Sequence, residues 1–165
     1  MKKNQNKVCA VDLFCGIGNF TLPLARAGAT VTGVEAASDA VTMAELNARH
    51  NGLHDRVQFR VEDLYVDKTP GAHSAHTTLL ADMDALLLDP PRSGAGPHLP
   101  LWLAGFSGAE IVYVSCNPAS FAADAVHILA AGFELVRVGI FDMFPHTAHV
   151  ETMGYFRKVS EPAHG

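Results

Sequence analysis

The sequence predicts an α/β fold: an open, doubly wound sheet of seven strands that finishes in a C-terminal antiparallel hairpin. Three observations carry this expectation. Five short apolar runs, rich in β-branched residues, alternate with helix-like patterns, as in a parallel sheet with crossover helices. The first run feeds a glycine turn, LFCGIGNF, that opens onto a helix. The last two strand patterns are separated only by the short stretch DMFPHTAHVE, whereas a parallel crossover needs a dozen or more residues, so they must pair antiparallel.

At 165 residues the chain suits a single domain, 1–165, large enough to bury a core without covalent staples. Its three cysteines, Cys9, Cys15 and Cys116, are odd in number and lack paired CxxC spacing. No disulfide framework and no zinc or iron–sulfur site is expected, and a reducing cytoplasm fits best. No apolar run approaches membrane-spanning length, including after the basic start MKKNQNK, so no membrane association is expected. The formal net charge of −5 makes the chain as a whole a poor polyanion binder. Any grip on nucleic acid must come from a local patch, another domain or a partner.

The first strand is expected over Val8 to Asp12, with the glycine turn leading into a helix over Asn19 to Ala27. A nicotinamide-dinucleotide turn of the form GxGxxG would need a third glycine at Thr21, which is absent. Asp12 also closes the strand just ahead of the turn, where a carboxylate would repel a pyrophosphate. A cofactor with a cationic amino-acid end and no phosphates fits better, S-adenosylmethionine being the common example. Thr30 to Glu35 reads as the second strand, and Glu35 stands where a ribose-binding carboxylate belongs, or else simply ends the strand at the surface. Ser38 is expected to cap the next helix, with Ala40, Val41, Ala44 and Leu46 supplying its apolar face and Asn51-Gly52 closing it. Val57 to Val61 is the third strand. Asp63, just beyond it, is either an acceptor for an adenine amino group or a solvated loop acid.

The stretch 67–78, with Pro70, Gly71, His73 and His76, reads as a loop, and the two histidines have no other metal-ligand types clustered with them. Ala85 to Asp89 is a buried fourth strand running into PPRSGAGP, where two prolines hold Asp89 at the sheet edge by a stiff backbone. His98 to Phe106 is a weak helix. Ile111 to Ser115 is the fifth strand, and Asn117-Pro118 stops it just after Cys116, a position either for a nucleophile at the ligand-binding edge of the sheet or for one more small buried hydrophobe. Ala119 to Ala131 is a helix with Phe121, Ala125, Ile128 and Leu129 on one side and Gly132 as its stop. Phe133 to Phe141 and Thr152 to Val159 form the hairpin. Five alternating strands plus such a hairpin is the Rossmann-like layout of the class I methyltransferase sheet.

Four stretches, DLFCGIGNFTLPLA, LLLDPPRSG, VYVSCNP and FDMFPHTAHVET, together resemble the RNA uridine C5-methyltransferases, and their order covers nearly the whole chain. The last is most similar to the branch that methylates 23S ribosomal RNA rather than transfer RNA. The resemblance implies an S-adenosylmethionine-dependent enzyme of RNA methylation and rRNA processing that makes 5-methyluridine. It implies Cys116 as nucleophile and Glu151 as base, with Phe14, Gly16, Gly18, Asn19, Glu35, Asp63 and Asp89 at cofactor-binding positions and no metal in this portion. Members of the family carry an N-terminal RNA-binding barrel and a middle segment that have no counterpart here, so a catalytic domain alone is expected, silent toward RNA if the missing parts are needed.

The implied chemistry accounts for the residue types. Uracil C5 is a poor nucleophile until a thiolate adds at C6 and makes it enolate-like, and a base must later take the C5 proton so that the thiol can leave. The target uridine must be single-stranded or extruded, and Phe144, Pro145 and His146 are candidates to stack on it, or to pack the hairpin onto the sheet. A competing expectation is an amino-group methyltransferase, because DPPR is similar to the D/N-P-P-x loops that act on exocyclic nitrogens. That chemistry has no use for the thiol.

Overall fold

The computed structural model describes residues 7–65, 75–142 and 150–160, with the backbone alone at 75–77. The strands are β1 (Cys9–Leu13), β2 (Thr30–Glu35), β3 (Val57–Val61), β4 (Ala85–Leu88), β5 (Glu110–Ser115), β6 (Phe133–Phe141) and β7 (Glu151–Lys158). The helices are α1 (Thr21–Arg26), α2 (Ser38–His50), α3 (Ala75–Leu80), α4 (Leu99–Gly105) and α5 (Pro118–Ala130). One sheet holds all seven strands in the order β3-β2-β1-β4-β5-β7-β6. β1 to β5 run parallel, β7 is antiparallel to β5, and β6 is antiparallel to β7. Between β1 and β4 the chain order reverses, and a crevice opens there beyond the carboxyl ends of the strands.

Burial follows from the pattern. Val11 and Leu13 of β1, Leu86 and Leu88 of β4, Ile111 and Tyr113 of β5 and Phe156 of β7 face one side, packed against Trp102 and Leu103 of α4 and Phe121 and Ile128 of α5. A smaller cluster of Ala10, Ala25, Val31 and Leu53 lies on the other face beneath α1 and α2. Among the described residues no helix is long and apolar enough to cross a membrane.

Several local expectations need correction. Ser38 is the first helical residue rather than the cap: Ala37 is the N-cap, without a side-chain bond, and its N–H is taken by Glu35 Oε1 at 3.0 Å. Leu46 and Leu129 are 52% and 46% exposed, while Ala48 lies buried on the core face of α2. α1 is shorter than expected, because the glycine turn extends to Phe20. The 67–78 loop gives way to α3 at Ala75, a short helix docked by the fully buried Leu80. His73 lies outside the described residues, as does the side chain of His76.

Candidate active site

The turn after β1 is built around an unusual backbone. Phe14 has φ of +68°, the sole positive value among the described non-glycine residues, a conformation that costs free energy and tends to mark functional sites. It is held because Phe14 and Cys15 both donate to the Val34 carbonyl, at 2.9 and 3.0 Å. Gly16 (φ +54°) follows and donates its N–H to Glu35 Oε2 at 3.1 Å. Glu35 therefore ties the turn to the start of α2 through both carboxylate oxygens. Gly18 has φ of +91°, a left-handed conformation that favours glycine whatever the surrounding space.

Beside the turn lies a cleft of about 420 Å³. Phe14, Glu35, Asp63 and Tyr65 line it on one side, and Asp89, Pro90, Pro91, Cys116 and Glu151 on the other. The residues expected from the sequence are thus brought together, with three exceptions. Gly16 and Gly18 shape the turn without lining the cleft, and Asn19 is exposed on the turn. Asp63 also has a local role, since its Oδ1 accepts the Tyr65 N–H at 2.9 Å and shapes the bend after β3.

Cys116 sits in the gap between β5 and α5. Pro118 opens α5, and the Asn117 side chain caps it by accepting the Ala119 N–H at 3.1 Å. The Ser115 hydroxyl accepts the Asn117 N–H at 3.1 Å, which fixes the bend on either side of the cysteine. The β5–β7 register ends with Ser115 opposite Thr152. Cys116 follows Ser115 and Glu151 precedes Thr152, so both stand just beyond this last pair, and both line the cleft with Asp89. The thiol is half-buried at the wall of the cleft, not sealed in the core.

The electrostatics are acidic. Asp12 is fully buried, accepts the Thr21 hydroxyl at 2.6 Å through Oδ2, and has no partner for Oδ1 among the described residues. Burial pushes its carboxyl up to about 7 against the opposing Thr21 bond, with Asp89 and Glu35 adding to the rise. Asp89 is pushed up to about 6, by burial first and then by the facing Glu151. Burial, with Asp12 and Glu35 nearby, pushes the Cys15 thiol up to about 12, so it is inert near neutrality.

Four residues of the site escaped the sequence reading. Thr21, at the position a third turn glycine would occupy, is fully buried and donates to Asp12 Oδ2. Tyr65 presents its ring to Phe14, with centroids 5.4 Å apart. Asp124 and Tyr113 bond to each other beneath the loop after Asp89. Asp124 had a legible signal: a carboxylate set into the apolar stripe Phe121, Ala125, Ile128 of α5. Phe144, Pro145, His146 and His149 lie outside the described residues.

Comparison with known proteins adds the following. The family model for tRNA (uracil-5-)-methyltransferase matches residues 1–159. The 23S rRNA (uracil(1939)-C(5))-methyltransferase RlmD of Hahella chejuensis is 48% identical over 148 residues, 90% of this chain and 32% of that protein. The RlmD of Acinetobacter baylyi is 47% identical over 162 residues, 96% of this chain and 34% of that protein. The chain spans about a third of the length of the curated relatives it matches. Among solved structures, the Pyrococcus abyssi tRNA (uracil-54, C5)-methyltransferase in complex with S-adenosyl-L-homocysteine superposes with a TM-score of 0.72 at 31% identity, over 89% of this chain and 33% of that one. Magnesium protoporphyrin IX methyltransferase from Synechocystis, with bound SAM, shares the fold at 16% identity, with a TM-score of 0.68 over 94% of this chain and 72% of that one.

Proposed function

The chain belongs to the tRNA (uracil-5-)-methyltransferase family, and from that premise we propose that it is the catalytic domain of an S-adenosylmethionine-dependent enzyme that methylates C5 of a uridine in 23S ribosomal RNA. The observation that carries this reading is that Cys116 and Glu151 line one cleft, which also holds Phe14, Glu35, Asp63 and Asp89. The similarity to RlmD proteins favours ribosomal over transfer RNA. Such an enzyme acts in the cytoplasm, where ribosomal RNA resides.

The residues fit the cofactor. The cleft volume is within the range of small-molecule sites, roughly 300–1,000 Å³. Its walls combine an aromatic ring with the carboxylates of Glu35, Asp63 and Asp89, and Asp12 lies behind them. That set repels phosphates and favours a cationic ligand. Phe14 and Asp63 would hold the adenine, Glu35 the ribose hydroxyls, and Asp89 the far side. When bound, the cofactor supplies an electrophilic methyl group on a sulfonium sulfur.

The chain's own residues then have separate tasks. Cys116 Sγ adds to C6 of the uracil and makes C5 nucleophilic. After the methyl group has joined C5, Glu151 takes the C5 proton; the electron pair left behind forms the C5–C6 double bond, the C6–S bond breaks and Cys116 leaves as the thiolate. The walls of the cleft hold the flipped base and keep water from the reacting atoms.

The test is methyl transfer from labelled S-adenosylmethionine to 23S rRNA and tRNA transcripts by a full-length protein carrying this domain, followed by nucleoside analysis. The reading predicts 5-methyluridine in the 23S transcript. A label on an exocyclic nitrogen would transfer support to the amino-group reading, and labelled tRNA alone would move the substrate to the other branch.

A further inference from the structure

We propose that Asp124 is a positioning residue: through its buried carboxylate, α5 holds the 90–96 loop and with it the Asp89–Pro90–Pro91 wall of the cleft. The proposal rests on the reading of that cleft as the cofactor site.

Asp124 is 4% exposed within the apolar stripe of α5. A carboxylate is rarely so buried unless its environment repays the loss of water. Here Oδ2 accepts the Ala95 N–H at 2.7 Å and the Tyr113 hydroxyl, and the same Ala95 N–H lies 3.3 Å from the Tyr113 oxygen. Burial and the adjoining Asp124 push the Tyr113 hydroxyl well above its usual range, which keeps it a donor. The carboxylate thus reaches out of the helix to the backbone of a loop.

That loop is shaped to receive it. Gly94 has φ of +86°, and a β-carbon there would stand 2.6 Å from Asp124 Oδ2. The Gly94 N–H closes a turn onto the Pro91 carbonyl at 2.8 Å, linking the clamp to the prolines of the cleft wall. The loop's other fastenings come from the cleft itself. The Tyr65 hydroxyl donates to the Gly94 carbonyl at 2.9 Å, and Asn117, the residue after Cys116, donates to the Arg92 carbonyl at 3.2 Å. Gly94 is therefore the joint at which the Tyr65 side of the cleft, the Asp89 side and α5 meet. Fixing it sets the separation of the two walls before a ligand arrives, a preorganisation that lowers the cost of binding.

The experiment is calorimetric titration of S-adenosylmethionine into this chain and its D124L, D124N, Y65F and D124L/Y65F variants, with unfolding followed in parallel. The proposal predicts that D124L weakens binding by ~10-fold or more, the scale of a lost charge-assisted bond. D124N, which keeps an oxygen to accept the Ala95 N–H, is expected to recover most of that loss. Y65F added to D124L should cost little further, because both act on the Gly94 joint. Should D124L fail to fold, G94A disturbs the same contact from the loop side and is expected to weaken binding similarly. Binding by D124L or G94A within twofold of the unaltered chain, or losses from D124L and Y65F that simply multiply, overturns the proposal. Absence of binding by the unaltered chain strikes the cofactor reading itself, and this proposal with it.

Discussion

At the scale of single residues, the proposed reaction gives Cys116 and Glu151 two separable steps, so their variants should fail differently. C116A is expected to abolish both adduct and product in a full-length protein. E151Q should still form the C6 bond and then stall, lowering turnover by roughly 10²–10⁴-fold while covalently linked, methylated RNA accumulates, visible as a band that C116A does not give. Asp12 makes a different prediction, about stability. Its folded value of about 7 lies above the ordinary aspartate value of 3.8, so the folded state holds the proton more tightly than the unfolded one. Its contribution is complete below about pH 4 and is lost as the pH rises through 7, at a cost of up to ~4 kcal/mol. Asp89, raised to about 6, adds in the same sense over a narrower window. D12N, which keeps an acceptor for Thr21, should flatten the fall in Tm between pH 5 and 8 and melt higher than the natural chain at pH 8. An unchanged slope would contradict the burial argument.

At the scale of elements, the strand pattern was largely legible. Apolar, β-branched runs favour extended chain, and β2, β3 and β6 begin and end where the runs Thr30–Glu35, Val57–Val61 and Phe133–Phe141 do. The hairpin followed from loop length alone. Less legible were features decided by contacts distant in sequence. Ser38 looked like a cap, but Glu35 reaches the Ala37 N–H first. Leu46 and Leu129 matched a helical period yet lie at the margins of their buried faces. The carboxylates of the cleft were visible because each ends or follows a strand, whereas Tyr65 and Asp124 reach the site through a loop fastened across tens of residues. Close packing between elements is testable at Gly154 of β7, where a β-carbon would stand 2.6 Å from the Phe121 ring of α5. G154A is expected to destabilise by ~1–3 kcal/mol in urea unfolding, through the β7–α5 seam that also supports the strand bearing Glu151.

At the scale of the whole molecule, the proposed function asks a chain of net charge −5 to act on a polyanion. Its relatives are about three times as long, and the division of labour proposed is that this domain holds cofactor and chemistry while the rest grips RNA. Calorimetry should accordingly find S-adenosylmethionine binding by the chain alone, with RNA affinity at least ~10-fold weaker than that of a full-length relative at the same salt. The account as a whole turns on a covalent bond between one sulfur and one pyrimidine carbon. A full-length protein carrying this domain, incubated with S-adenosylmethionine and a 5-fluorouridine-substituted 23S fragment, cannot lose a proton from C5 and should be trapped. Mass spectrometry of the digested complex is predicted to find the methylated nucleotide on the peptide containing Cys116; methyl transfer that proceeds without an adduct, or an adduct on any other residue, would contradict it.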